Sequence, residues 1–370
     1  MRRVIKNKCY CSLLSFTLFA LSSVAYPLSI KNLKTQGELR FGGDYVDNLQ
    51  VEARVFGVTG LMGVEGKLSQ DLSVKVKAGA TLEVGSNNSF IINEYAPRQQ
   101  WRLRDAHFTY RPFEFFKVSA GAINQKDYHS PLLMTSSAWL SAQERFNLFL
   151  SEQFELFLRA QQAIPNNLNL TQRIGIVEDD GTPSFFMQSV GLNLLSDLLS
   201  ASLELGKWGF DNLSTQSAFQ SQFLGNSIGG GSPNDSEFLY KYSGYNLSAK
   251  IGFNLSQSFG VELKGQYLYN EKAPEKRNRG YFTRGTLILS EWRPSLLLFK
   301  NESDSSVGFY NSAIFSHNNH EGYGIGLNYH ATKGEIKASI DYIDSSPIQF
   351  NNFQSDTEKV RFSITMPVSY

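Results

Sequence analysis

Leu68-Ser69-Gln70-Asp71-Leu72 separates two stretches of alternating apolar and polar residues, and the same phrase returns four more times. The copies are Leu150-Ser151-Glu152-Gln153-Phe154, Leu195-Ser196-Asp197-Leu198-Leu199, Leu255-Ser256-Gln257-Ser258-Phe259 and Leu289-Ser290-Glu291-Trp292-Arg293. A polar stretch between two apolar anchors reverses a strand directly and leaves the anchors at the same height. Arg111-Pro112-Phe113-Glu114 and His330-Ala331-Thr332-Lys333-Gly334 fall into the same series. Successive turns lie about 35 to 60 residues apart, the length of two membrane-crossing strands, one short turn and one longer loop. The spacing therefore predicts tight turns at one end of the fold and long polar loops at the other.

The stretches between the turns carry the strand signal. Val74, Val76, Ala78, Ala80, Leu82 and Val84 alternate with Ser73, Lys75, Lys77, Gly79, Thr81 and Glu83. Tyr245, Leu247, Ala249, Ile251 and Phe253 alternate with Asn246, Ser248, Lys250, Gly252 and Asn254 in the same way. Period two with one apolar face is a strand that meets an apolar medium on one side only. No apolar run after residue 25 is long enough to span a membrane as a helix. A membrane protein of this composition must then be a barrel, since only closed barrels and helices satisfy the backbone in lipid. Strands of about 10 residues, with aromatics flanking their apolar faces, favour that reading over a soluble β-sandwich or β-helix. The predicted fold is an all-β transmembrane antiparallel β-barrel over 26–370. It has about 16 strands, with 14 or 18 as the alternatives, short periplasmic turns and long extracellular loops.

The chain opens as a secretory signal: Arg2, Arg3, Lys6 and Lys8, then apolar Leu13 to Leu21, then the small-x-small triplet Ser23-Val24-Ala25. Residues 1–25 are read as a cleaved signal peptide. Removing its four basic residues from the 35 leaves 31 against 34 acidic ones, net −3. No basic run or stacking motif suggests nucleic acid as a partner. Both cysteines, Cys9 and Cys11, lie in the signal, so disulfide staples, thiolate metal sites and cysteine nucleophiles are excluded from the rest.

The last residues alternate again: Val360, Phe362, Ile364, Met366, Val368 and terminal Tyr370 against Arg361, Ser363, Thr365, Pro367 and Ser369. This resembles the C-terminal strand by which bacterial outer-membrane proteins are recognised by the barrel-assembly machinery, with Phe362, Ile364, Met366, Val368 and Tyr370 as the signal. Pro367 cannot donate a ladder hydrogen bond, which predicts a distortion there. By strand count and end signal the chain resembles the 16-stranded porins. Leu103-Arg104-Asp105-Ala106, a turn, then Val118-Ser119-Ala120-Gly121 is similar to a hairpin of the phosphate-selective porins. The resemblance implies a Gram-negative outer-membrane channel for ion and small-solute transport. It also implies contact with outer-membrane lipids and lipopolysaccharide, and a possible homotrimer. A substrate-selective channel, and a barrel acting in adhesion or partner binding through its loops, are the alternatives.

On the polar strand faces, Lys75, Lys77, Glu83, Asp105, Lys117, Arg159, Lys250, Glu262, Lys264, Arg284, Lys337, Asp341 and Arg361 are the candidate pore-lining residues. Rows of opposite charge in a pore tune ion preference. In 16-stranded porins the third loop folds into the lumen. That position here is 126–142, which offers Lys126, Asp127 and His129 as constriction candidates, although an exposed surface loop is the favoured reading. Loop 210–240, with Gly229-Gly230-Gly231, reads as mobile and outward-facing. Enzymatic constellations are missing: there is no His-Glu-x-x-His and no Gly-x-Ser-x-Gly. His317 and His320 read as an exposed pair without partners, and Glu178-Asp179-Asp180-Gly181 as too few oxygens for Ca²⁺. No catalytic residue, metal or cofactor is expected.

Overall fold

The computed structural model describes residues 31–368 apart from 50, 89–94, 129, 166–181, 257 and 332–335. Sixteen strands close into one antiparallel barrel. They are β1 (Lys31–Asn48), β2 (Val51–Lys67), β3 (Leu72–Asn87), β4 (Gln99–Phe113), β5 (Phe116–Asn124), β6 (Ala138–Phe149), β7 (Phe154–Ile164), β8 (Ser184–Leu195) and β9 (Leu199–Asp211). After a minor hairpin of β10 (Ile228–Gly229) and β11 (Glu237–Phe238), the barrel resumes. Its remaining strands are β12 (Tyr242–Asn254), β13 (Phe259–Asn270), β14 (Arg279–Leu289), β15 (Trp292–Asn301), β16 (His320–His330), β17 (Lys337–Pro347) and β18 (Thr357–Val368). Each pairs with its sequence neighbour, β9 pairs with β12, and β18 closes on β1.

The repeated phrase works through its serine. Ser69, Ser151, Ser196 and Ser256 each accept a hydrogen bond on Oγ from the backbone N–H three residues on, at 3.0 to 3.1 Å. That bond satisfies a donor the turn leaves without a ladder partner. The fifth copy differs: Leu289 pairs directly with Trp292, and Ser290 takes a left-handed φ of 57° in a two-residue turn. Of the other two turns, β4 shifts register between Tyr110 and Phe113 so that Phe113 faces Phe116, while residues 332–335 lie outside the described ones.

Strand register assigns the faces, because residues opposite each other in an antiparallel pair share one face. Phe56, Met62, Leu82, Leu103, Leu263, Leu298 and Ile340 point outward and stay exposed, which is an apolar band suited to lipid. Trp292 and Tyr329 meet with ring centroids 4.9 Å apart, tilted by 52°, at the tight-turn end of this band. Phe362, Ile364, Met366 and Val368 share that outward face, opposite Gly43, Phe41, Leu39 and Gly37 of β1. Pro367 does not distort the strand: the β1–β18 register runs unbroken from Thr357 to Val368. On the β1 side Pro367 stands opposite Glu38 with no register shift, and the described pairing with β17 runs as far as Thr365. Tyr370 and the signal peptide lie outside the described residues.

Two expectations about the loops fail. Loop 126–142 is not an exposed surface loop: Ser130, Leu132, Leu133 and Met134 are buried, and β6 begins early, at Ala138. Loop 210–240 is not wholly mobile and outward-facing. It contains helix α1 (Thr215–Phe223), capped by Ser214 Oγ and burying Ser217, Ala218 and Ser221. Loop 302–319 turns inward as well, with Asp304, Ser305, Ser306, Val307 and Asn318 buried. The common reason is an apolar wall inside the barrel that a short reach of chain can cover.

Candidate functional site

That wall comes from inward positions near the loop end: Trp139, Phe185, Met187, Trp208, Phe210, Leu268, Phe282, Leu297, Phe299 and Ile343. Left wet, it would expose a large apolar area. Instead Leu132, Leu133 and Met134 from one loop, and Val307, Tyr310 and Phe315 from another, pack onto it. Phe210 and Tyr310 stack 5.5 Å apart, and Trp139 meets Tyr310 edge-on at 5.6 Å. Full burial of a leucine stabilises by about 1.5–3 kcal/mol, so the loops are held as a plug over one side of the mouth.

Polar bonds fix the plug. Leu132 N donates to Gln266 Oε1 at 3.2 Å, Asn246 Nδ2 donates to Ser130 Oγ at 3.1 Å, and Ser306 Oγ donates to Leu132 O at 2.7 Å. The loop leaving β5 thus crosses the lumen to β12 and β13. Buried Asp304 accepts from Ser227 N, Ser227 Oγ and Tyr242 OH at 2.9, 2.6 and 3.1 Å. Asn226 and Asn318 each donate to Ser303 O and Ser306 O. His317 and His320 are buried here, not an exposed pair: His317 Nδ1 lies 2.8 Å from Asn311 Oδ1, and His320 Nδ1 3.0 Å from Asn318 O. Ser316, His317 and Asn319 adopt left-handed φ of 54°, 63° and 59°, a conformation of order 1–3 kcal/mol each that persists only when its surroundings over-determine it. Gly225, at φ 97°, ends α1 where a Cβ would stand 2.4 Å from Asn318 O, so this junction admits only glycine.

Beneath and beside the plug the inward face is charged. Lys75 and Lys77 stand opposite His107 and Asp105, and Glu83 opposite Gly57. Lys117, Arg145 and Arg159 are successive register partners on β5, β6 and β7. Lys250, Lys264 and Arg284 are successive partners on β12, β13 and β14. Glu262 lies opposite Gly252, Lys337 opposite His330, and Asp341 opposite Arg361, which in turn faces Asp44. All thirteen strand candidates therefore sit on the face away from the apolar band. Many pair: Lys75–Asp105 at 3.5 Å, Lys77–Glu38 at 2.9 Å, Arg102–Glu83 at 3.6 Å, Arg145–Glu155 at 3.1 Å, Lys250–Glu262 at 2.9 Å, and Arg159 with Glu204. Of the loop candidates, Lys126 is exposed in a 3-10 turn at Gln125–Tyr128 of the crossing loop. His129 and the side chain of Asp127 lie outside the described residues, as does 178–181.

Sequence reading missed Glu38, Arg40, Asp44, Arg102, Arg104 and Arg145 on this face. Glu38 and Arg40 alternate with Leu39 and Phe41, so their period was available. Arg104 had no such signal. A register shift between Lys77 and Ala78 adds one residue to β4 there, and Arg104 Nη1 donates to Ser136 O of the crossing loop at 3.0 Å.

No protein-family description matches the chain, and no curated protein matches it. Solved structures do resemble it. OprB of Pseudomonas putida, in its high-pH structure, gives a TM-score of 0.55 at 13% identity, covering 92% of this chain and 94% of that one. A triple mutant of Rhodopseudomonas blastica porin gives 0.48 at 11% identity, covering 91% of this chain and 100% of that one. At such identity the OprB match speaks for fold: this is a porin-like β-barrel.

Proposed function

We propose that the protein is an outer-membrane porin through which small hydrophilic solutes or ions diffuse passively along a water-filled channel. The observation that carries this reading is the contrast between the two barrel faces. The outer one is an apolar band, while the inner one bears paired charges that only water or a polar solute can meet. Barrels of 16 strands are wide enough to leave an aqueous lumen. The apolar plug leans on β6–β9, β12–β15 and β17, and a second buried cluster of Val46, Val51 and Ala53 covers the loop end of β1 and β2, so the route runs against the charged remainder of the β1–β4 wall. There Arg40, Glu83 and Arg102 carry charge up toward the mouth. Lys126 and the thirteen strand charges line or border this route and set its ion preference. Phe362, Ile364, Met366 and Val368 present the assembly signal on the outer face.

Purified, heat-modifiable protein reconstituted in a planar bilayer tests the reading. Discrete conductance steps are the expected result. Folded protein that opens no pores at any voltage refutes it.

A further inference from the structure

Two rows of three cations line the inner face, and they differ in compensation. On β5–β7, Lys117, Arg145 and Arg159 have acids close by: Arg145 bonds Glu155 of β7 at 3.1 Å and Arg159 bonds Glu204 of β9. On β12–β14, Lys250, Lys264 and Arg284 have only Glu262, which Lys250 takes at 2.9 Å. Lys264 and Arg284 make no ion pair among the described residues. Like charges directly opposite each other destabilise a sheet, and here two such pairs adjoin: Lys250 with Lys264, and Lys264 with Arg284. Apart from Glu262, the neighbours of the row in strand register carry no charge. Above the row lie Gln266, Phe282 and the Leu132 side of the plug, and beside it Thr286 and Leu297.

We propose that Lys264 and Arg284, with Lys250 beside them, form a lumenal binding station for small anions carrying two or more negative charges. The inference rests on the reading of the lumen as a solute path. A monovalent anion answers one of these cations, whereas a polyvalent oxyanion meets several at once. Phosphate-like and polycarboxylate anions share that chemistry. The guanidinium of Arg284 can bind either in a fork, with the ammonium groups acting as point charges. The partial shelter of the lumen keeps the attraction from the full screening it would meet on an open surface.

Isothermal titration of the detergent-solubilised protein with pyrophosphate and, separately, with citrate tests this at low ionic strength. The expected result is saturable binding of one or both, at least tenfold weaker in Lys264→Gln/Arg284→Gln and unchanged in Lys300→Gln on the outer wall. The arm that binds identifies the anion class. Wild-type protein that binds neither probe, or that binds them as the double variant does, overturns the station whatever the variants' stability. Chloride conductance separates the two readings. Pores that conduct but are not blocked by a probe the protein fails to bind refute the station alone. Binding without any conductance refutes the channel and leaves the station standing.

Discussion

Arg361 Nε donates to Asp44 Oδ1 at 2.6 Å across the seam where the last strand meets the first, joining residues 317 positions apart. The two are also direct register partners, within an unbroken ladder from Gly37–Val368 to Asn48–Thr357. Each side chain remains over a third exposed, so water screens the pair and it adds about 0–1 kcal/mol. The backbone ladder closes the barrel. Arg361→Gln is therefore expected to leave the heat-modifiability midpoint nearly unchanged while shifting the zero-current potential toward cations. A collapse of the folded band on gels would contradict this.

Leu132 of the crossing loop is fully buried, in the same apolar cluster as Leu133 and Phe282. Leu132→Ala removes buried methyl groups and leaves a cavity, a change costing about 2–5 kcal/mol in a core. The plug is a local unit, so much of that cost falls on its docking. Larger and noisier single-channel conductance is expected, with the barrel's β-sheet circular dichroism retained. Identical conductance in the variant would show that the loop does not limit flow.

Asp304 holds loops together that are remote in sequence, accepting from Ser227 and Tyr242 while fully buried. In Asp304→Ala these donors lose their partner, at about 1–3 kcal/mol for each buried group left unsatisfied. The expected outcome is faster limited proteolysis within 211–240 of intact vesicles, read by mass spectrometry of the released peptides. Unaltered cleavage kinetics would rule out this anchoring role.

Asp235 lies in a loop outside the strands, and its carboxylate accepts from Gly231 N, Ser232 N and Ser232 Oγ at 3.1, 2.6 and 2.8 Å. The Ser232 hydroxyl and these backbone donors hold its pKa below the usual carboxylate value. A depressed pKa means that the turn's stabilisation is present above the unfolded pKa and lost as pH falls through the folded one. Neutral and mildly acidic solutions should thus leave the turn intact. Protection of the Ser232 amide from hydrogen exchange, compared with Asp235→Asn at each pH, should vanish only at strongly acidic pH. Loss of that difference already at neutral pH would contradict the sign.

The turn serines make a further test. Ser151→Ala removes an Oγ that accepts from both Gln153 N and Phe154 N. One turn bond contributes about 0.5–1.5 kcal/mol, so a single change should slow barrel folding slightly. Changing Ser69, Ser151, Ser196 and Ser256 together should lower the urea midpoint by the sum, since the four turns lie far apart.

Strand number and the tight-turn end were legible in the sequence because each depends on local chemistry. Lys250 and Ile251 fall on opposite faces by period two alone, and Ser256 turns the chain with atoms three residues away. The plug was illegible. Leu132-Leu133-Met134 follows Pro131 in a stretch that looks like any connecting loop, and Asn318 carries no sign of the Ser303 and Ser306 carbonyls it bonds. Those contacts become available only when the barrel brings Trp139, Phe282 and Leu297 to one height.

The sequence by itself determined the container: an antiparallel barrel with an apolar outside, a charged inside and a defined pair of ends. Tertiary structure alone decided how that container is filled. Which inward residues form an apolar wall, which loop covers it and which cations are left without a counter-charge all depend on register between strands distant in the chain. Register is a property of closure, and no single strand carries it.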